Sequence, residues 1–300
     1  MISWNCGNLY YCSAAGFEQN FSDNSINLTY NLGCDILGKQ FFNGDKYQTS
    51  GNKRIIFDKL FLNTRWYFVY TYVKVIILAR RLVGKGSYSM DRFADSSYRI
   101  LQNIENCGGK IFIDGMENIK KAKGPVVFVS NHMSTLETFV FPCIIVPIKK
   151  MTYVIKDVLI SIPAFGPIMK SLDPIIVSRK NSRQDLINVI NQGKDIIAKG
   201  TSVVLFPEGT RRVEFDPEKF NSLGIKLAKE AGVPVIPIAI KTDFWGNGKL
   251  IKDIGTVRRK EPICISFGEP IIISGNGKAE HKQVLEFITK RINDFKKIKI

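Results

Sequence analysis

The chain has 300 residues, 45% hydrophobic and 23% charged, a length that buries a large core and a balance that excludes both a disordered polymer and a bundle of membrane spans. Lys and Arg number 43 against 27 Asp and Glu, a formal net charge of +16, so the partners to expect are polyanions: nucleic acid, an anionic membrane face or phosphorylated substrates. The cysteines at 6, 12, 34, 107, 143 and 264 form no C-x-x-C pair and no zinc-site or disulfide spacing, which predicts reduced thiols and a cytosolic chain.

Residues 1–52 read as a polar, loosely ordered arm. They are rich in Asn, Ser, Gly and Tyr, with Lys39 and Lys46 set against Glu18, Asp23, Asp35 and Asp45. Scattered polar residues present no face to bury, and their start lacks the basic and apolar regions of a secretory signal. Residues 53–98 reverse the charge, with Lys53, Arg54, Lys59, Arg65, Lys74, Arg80, Arg81 and Lys85 against Asp58 in the first part. Here Phe68, Tyr72, Val75, Ile76 and Ala79 recur at helical spacing, which predicts a basic amphipathic helix. Its nearly uncharged run falls short of the roughly 20 apolar residues a bilayer crossing needs. The expectation is a helix lying on an anionic membrane with that apolar face in the acyl boundary; packing of the same face on the protein's own core is the competing expectation.

From residue 99 to 300 short β-branched runs alternate with helical patterns. Strands are predicted at 110–113, 125–129, 151–155, 174–177, 202–206, 235–241 and 262–267, and helices at 184–198 and 217–231, each stopped by a glycine, Gly200 and Gly232. A closing helix is predicted from Lys282. That alternation specifies an α/β domain with a largely parallel central sheet flanked by helices.

The chain contains two histidines. His281 sits among polar residues at a helix start and reads as a surface residue. His132 stands where a buried strand ends and a helix begins, which is where α/β folds assemble sites. Its imidazole can take a proton from an attacking hydroxyl, and Glu137, five positions on, can hold the other ring nitrogen. Alone this spacing is weak, and a buried structural histidine explains it as well. A second candidate lies at Phe206-Pro207-Glu208-Gly209-Thr210-Arg211-Arg212, where a strand runs into a turn bearing a carboxylate, a glycine, a hydroxyl and two guanidiniums. Arginine forks bind phosphate in bidentate fashion, Gly209 lets a ligand approach the backbone, and Glu208 can hold a polyol hydroxyl. A plain polar turn with solvated arginines competes with this reading. Lys156, after the strand at 151–155, can assist a phosphate or be an ordinary surface lysine. The aromatics are not interleaved with cations near Arg211 as a base-stacking platform requires, so nucleic acid is not an expected partner. The scattered Cys and His residues build no obvious metal site, and no dinucleotide or Walker loop occurs, so no metal or redox cofactor is expected.

Taken together, these stretches resemble the glycerolipid acyltransferase family typified by 1-acylglycerol-3-phosphate acyltransferase. Asn131-His132 with Glu137 is similar to its first motif, Asn-His-x4-Asp; Phe165-Gly166-Pro167 and Ile175-Ile176-Val177-Ser178-Arg179 to its second; the Phe206–Arg212 turn to its third; and Val233-Pro234-Val235-Ile236-Pro237 to its fourth. The resemblance spans about residues 110–270. It implies acyl transfer from acyl-CoA or acyl-ACP to the free hydroxyl of a lysophospholipid, most directly 1-acyl-sn-glycerol 3-phosphate, at the cytoplasmic face of a membrane by a peripheral or monotopic protein. His132 and Glu137 would be catalytic, while Arg179, Glu208, Gly209, Thr210 and Arg211 would hold the acceptor, with Asn131, Lys156, Arg212 and Pro237 as auxiliaries. Glycerol 3-phosphate or another lysolipid is the alternative acceptor, and a non-enzymatic basic binder the remote alternative. Two positions depart from the pattern: Glu137 is one methylene longer than the usual Asp, so its carboxylate must fold back or approach from a shifted backbone to reach the ring, and Arg212 replaces a common Ser.

Overall fold

The runs of Val and Ile form the middle of a sheet in the computed structural model of the chain, which describes residues 39–51, 53–61, 64–246, 248 and 255–298. The polar arm expected over 1–52 lies, up to residue 38, outside the described residues. The strands are β1 (Tyr47–Gln48), β2 (Ile111–Asp114), β3 (Val127–Ser130), β4 (Met151–Lys156), β5 (Ile175–Val177), β6 (Ser202–Leu205), β7 (Val235–Lys241) and β8 (Ile263–Phe267). They pair in the order β1-β2-β8-β7-β3-β6-β4-β5. From β7 to β5 every pairing is parallel, whereas β7–β8 and β1–β2 are antiparallel and β2–β8 is parallel. The expectation of a largely parallel sheet therefore holds.

The helices are α1 (Ile56–Leu60), α2 (Trp66–Gly84), α3 (Met90–Asn106), α4 (Met116–Lys121), α5 (Leu136–Ile145), α6 (Asp157–Ile160), α7 (Gly166–Lys170), α8 (Ser182–Ala198), α9 (Leu223–Ala231) and α10 (Lys278–Phe295). Strand side chains alternate between two cores. Phe128, Val204, Ile236 and Ile238 join α2, α3 and α5 on one face, while Val127, Val129, Val203 and Leu205 join α8, α9 and α10 on the other. With both faces covered, β3 and β6 are buried throughout, the condition under which strands read as unbroken apolar runs.

The helix expected over 217–231 is interrupted. A short 3-10 turn at Pro217–Lys219 precedes α9, because the Asn221 side chain donates to the Pro207 carbonyl and accepts from the Leu223 N–H, turning the chain between them. The closing helix starts at Lys278, four residues before the expected Lys282. Residue 98 falls inside α3, whose Ser89 cap accepts from the Arg92 N–H, and Tyr47–Gln48 adds an edge strand to β2.

One expectation about α2 is corrected. The stripe of Phe68, Tyr72, Val75 and Ala79 does not face outward: Phe68 is fully buried with its ring 5.0 Å from Trp245, and Tyr72 lies 5.1 Å from Phe139. These rings fill the space between α2 and α5, so the protein's own core takes that face. A second stripe at helical spacing, Trp66, Tyr70, Val73 and Ile77, is 41 to 59% exposed, beside exposed Ile56, Phe57, Leu60 and Phe61 of the preceding helix and turn. Asp58, fully buried on α1, pins that helix by pairing with Arg54 Nε and Arg259 Nη2, both at 2.6 Å. Among the described residues no helix is long and apolar enough to cross a membrane.

Candidate active site

The parallel block of the sheet decides where the polar residues meet. β7, β3, β6, β4 and β5 are neighbours running the same way, so the turns after their carboxyl ends share one edge. Those turns carry Thr242, His132, Glu208, Lys156 and Arg179, in that spatial order.

His132 follows β3 and is only 18% exposed at its side chain, with its ring stacked on Phe206 at 4.3 Å. Its Nδ1 lies 2.8 Å from Glu137 Oε1. Glu137 sits in the first turn of α5 with no exposed surface, and its longer arm folds back onto the preceding turn. Its carboxylate also accepts from the Met133 and Ser134 N–H groups, the Ser134 hydroxyl and the Thr242 hydroxyl. Burial works to raise its pKa, but the donors, His132 foremost, outweigh burial and hold Glu137 below the usual carboxylate value. An ionised Glu137 keeps the proton on Nδ1 and leaves Nε2 with a lone pair for a substrate proton.

The turn after β6 grips the same histidine from the other side. Glu208 Oε2 accepts the His132 backbone N–H at 2.8 Å, and the Arg212 N–H donates to the His132 carbonyl at 2.7 Å. Glu208 Oε1 is buried without a hydrogen-bond partner among the described residues, the Arg212 Nε being 3.8 Å away. Burial pushes the Glu208 carboxyl up to about 7, with the His132 N–H and Arg212 opposing it. A carboxyl with one oxygen engaged and the other unpaired is suited to receive a hydroxyl. Arg211 reaches across to the Thr135 hydroxyl at the start of α5, and Thr210 is exposed beside it.

Arg179 joins this turn through Gly209. Gly209 has a φ of +67°, where a side chain is strained, and a Cβ there would stand 3.7 Å from the Arg179 guanidinium. Arg179 itself has a φ of +56°. Asp185, in the first turn of α8, holds that conformation by accepting the Ser178 N–H at 3.0 Å and the Arg179 N–H at 2.6 Å. Burial lowers the Arg179 pKa and Asp185 counters it.

The expected residues thus divide. His132, Glu137, Glu208, Gly209, Arg179, Arg211 and Arg212 form one connected cluster, and Lys156 is exposed on the same sheet edge. Asn131 and Pro237 do not join it. Asn131 is buried and spends both amide groups on the Ile240 backbone, at 3.0 and 2.9 Å, pegging β3 to β7. Pro237 lies within β7 opposite Val129 and borders a cavity with Asp114, Gly268 and Arg291 instead. Sequence reasoning missed Ser134, Thr135, Asp185 and Thr242. Ser134 and Thr135 lie inside the first motif and were open to inspection; Asp185 and Thr242 carry no local pattern. Among the described residues no three His, Cys, Asp or Glu side chains gather as a metal-binding group.

Residues 110–241 match the family described as Acyltransferase. A protein of Pseudomonas aeruginosa named 1-acyl-sn-glycerol-3-phosphate acyltransferase is 35% identical over 147 residues, 49% of this chain and 55% of its own length. A chloroplastic enzyme of the same name from Arabidopsis thaliana is 30% identical over 142 residues, 47% of this chain and 38% of its own length. The chain thus spans about half the length of the curated relatives it matches, or less. The crystal structure of the 1-acyl-sn-glycerophosphate acyltransferase PlsC from Thermotoga maritima superposes with a TM-score of 0.56 at 22% identity, over 81% of this chain and 98% of that one. The likeness to that structure establishes the fold.

The raised pKa of Glu208 ties stability to pH. The folded state keeps this proton to about pH 7, against an ordinary value of 4.5. Its contribution is complete below the ordinary value and is lost as pH rises through the folded one. Glu208→Gln keeps an oxygen for the His132 N–H and does not titrate. Between pH 4 and 8 the difference in unfolding free energy should move in favour of the variant by about 3 kcal/mol, read from urea midpoints at both pH values. Parallel pH dependence in the two proteins would contradict the assignment.

Proposed function

From the match of residues 110–241 to the Acyltransferase family and the likeness to the relatives above, we propose that this chain is a glycerolipid acyltransferase, transferring an acyl group from acyl-CoA or acyl-ACP to the free hydroxyl of 1-acyl-sn-glycerol 3-phosphate. The observation that carries this reading is the His132 Nδ1 to Glu137 contact of 2.8 Å on a turn whose backbone is held by Glu208. His132 Nε2 takes the hydroxyl proton as the oxygen attacks the thioester carbonyl, and Glu137 stabilises the imidazolium. When the tetrahedral intermediate collapses, the carbon–sulfur bond breaks and the thiolate recovers the proton from His132. The products are an ester and a free thiol, and the only co-substrate this chemistry calls for is the thioester.

Arg179 and Arg211 supply forks for the acceptor phosphate, and Glu208 Oε1 receives a glycerol hydroxyl. Arg179 approaches the Glu208–Gly209 turn from the turn after β5, and Arg211 extends from that same turn toward Thr135 at the start of α5, which suits a headgroup bound between the two guanidiniums. Residues 53–98 form the membrane-association region and 99–300 the acyltransferase domain, under this reading. The exposed stripe of α2 with Ile56, Phe57 and Leu60 enters the acyl boundary, while exposed Lys59, Lys74, Arg80 and Arg81 meet anionic headgroups. The site then faces a peripheral pool of lysolipid on the cytoplasmic face.

Purified protein incubated with labelled palmitoyl-CoA and lysophosphatidic acid should release thiol and form phosphatidic acid in equal amounts. His132→Ala should lower kcat by about 100- to 10,000-fold; full activity in the folded variant would end the assignment. Arg211→Ala should raise the KM for the lysolipid at least about 30-fold while that for the thioester changes little, since removing one arm of a buried charge-assisted contact costs about 2 to 5 kcal/mol. A defect confined to the thioester would reverse the allocation. On the membrane side, the protein should float with vesicles containing anionic lipid, and Leu60→Asp or high salt should weaken flotation. Binding indifferent to lipid charge, salt and this substitution would remove the proposed docking face.

A further inference from the structure

The six donor contacts to the Glu137 carboxylate are unevenly distributed along the chain. Oε1 accepts His132 Nδ1 at 2.8 Å, the Met133 N–H at 2.8 Å and the Ser134 N–H at 2.9 Å; Oε2 accepts the same Ser134 N–H at 3.1 Å and the Ser134 hydroxyl at 2.8 Å. All of these come from residues 132–134, the turn immediately before the helix. The remaining donor is the Thr242 hydroxyl, 2.7 Å from Oε2 and 105 positions along the chain, delivered by the carboxyl end of β7.

Proton counting fixes the direction of these bonds. Ser134 Oγ accepts the Leu136 N–H at 3.0 Å and donates to Oε2. The Ser134 hydroxyl also stands in donor position to Thr242 Oγ1 at 3.0 Å, so its proton is shared between two oxygens, and the Thr242 hydroxyl donates to the carboxylate, which when ionised can only accept. Thr242 is fully buried, and its backbone N–H donates to Met133 Sδ at 3.2 Å, which locks the strand end to the histidine turn.

The extra methylene of Glu137 gives this contact a purpose. A carbon–carbon bond of about 1.5 Å separates the reach of glutamate from that of aspartate. On an unchanged backbone an aspartate carboxylate would fall short by up to that distance, which is enough to open the 2.7 Å bond to Thr242 beyond hydrogen-bond range. We infer that Thr242 is a positioning residue of the proton-relay pair, holding the long arm of Glu137 against His132 so that glutamate serves where a shorter acid would otherwise stand. The inference rests on the acyl-transfer reading above and concerns the same site.

Several other ionisable groups surround the pair. His132 is the partner of Glu137; Tyr153 of β4, held protonated by burial and by the charge of Glu137, donates to the Thr138 carbonyl nearby; Glu208 and Arg212 touch the histidine backbone. Lys241 and Asp243, on either side of Thr242, pair with each other at 2.7 Å, and Lys241 also pairs with Glu261. Of these, Glu208 titrates near neutrality, so its variant serves as a control.

The test compares Thr242→Val, which keeps the shape and removes the donor, with Thr242→Ser, which keeps the donor, each with Glu137 and with Glu137→Asp, using the thioester assay across pH. Thr242→Val should lower kcat about 10- to 100-fold, the usual range for one hydrogen bond to a charged group, with both KM values within about twofold. A carboxylate deprived of a donor is more basic and makes the pair hold its proton to higher pH. The acid limb of kcat/KM should therefore move upward by about one pH unit, both with Glu208 present and in Glu208→Gln. The limb position does not depend on how much of the variant is folded, which separates positioning from loss of structure. Thr242→Ser should return kcat to within about threefold of the parent. In Glu137→Asp, whose arm does not reach Thr242, Thr242→Val should cost less than about threefold more. An unmoved limb, a serine variant as impaired as valine, or an equal cost in both backgrounds would each overturn the inference. Failure of the unaltered protein to esterify lysolipid at all would instead strike the acyl-transfer reading itself.

Discussion

A carboxylate with no exposed surface stays charged only when the protein replaces its water, and the arrangement around Glu137 does so from two directions. The local turn supplies backbone and serine donors, and β7 supplies a threonine. Everything chemical about His132 follows from that replacement. Its tautomer, its ring orientation and the lone pair left on Nε2 depend on an ionised neighbour held at a fixed distance. The fold provides the constancy: β7 and β3 are adjacent and parallel, and Asn131 stitches their ends together through the Ile240 backbone. A residue expected to assist chemistry thus secures the frame instead.

The second grip on His132 is made by its backbone. Glu208 and Arg212 hold the N–H and the carbonyl of the same residue, so the turn after β6 and the turn after β3 are tied together at His132. This unites the two candidate clusters with a short hydrogen-bonded path. It also gives Glu208 two faces: one oxygen keeps the histidine turn in place, and the other, buried, has no hydrogen-bond partner among the described residues.

Much of this was legible in the sequence where the signal is local. The strands β2 to β8 were readable because burial on both faces leaves unbroken β-branched runs, and the pairing of His132 with Glu137 because both lie within one turn of chain. Three things were not legible, each for a physical reason. Alpha-helical spacing fits two apolar stripes on α2, Phe68-Tyr72-Val75-Ala79 and Trp66-Tyr70-Val73-Ile77, and only the rings of Phe139 and Trp245 decide which one is buried. The two-residue strand β1 is too short to show a period. Thr242 and Asp185 are ordinary residues in the sequence, and acquire meaning only when strand order brings one to Glu137 and the helix start brings the other to Arg179.

The turn at Arg179 carries one more consequence. Its left-handed backbone is uncommon for a residue with a side chain, and two neighbouring amides drawn onto a single carboxylate, that of Asp185, overcome the cost. The main chain beneath the guanidinium is therefore already set. Under the proposed role of Arg179 in holding the acceptor phosphate, only side-chain torsions would remain to be frozen on capture, which would keep the entropic penalty of recognition small and leave more of the electrostatic attraction to appear as affinity.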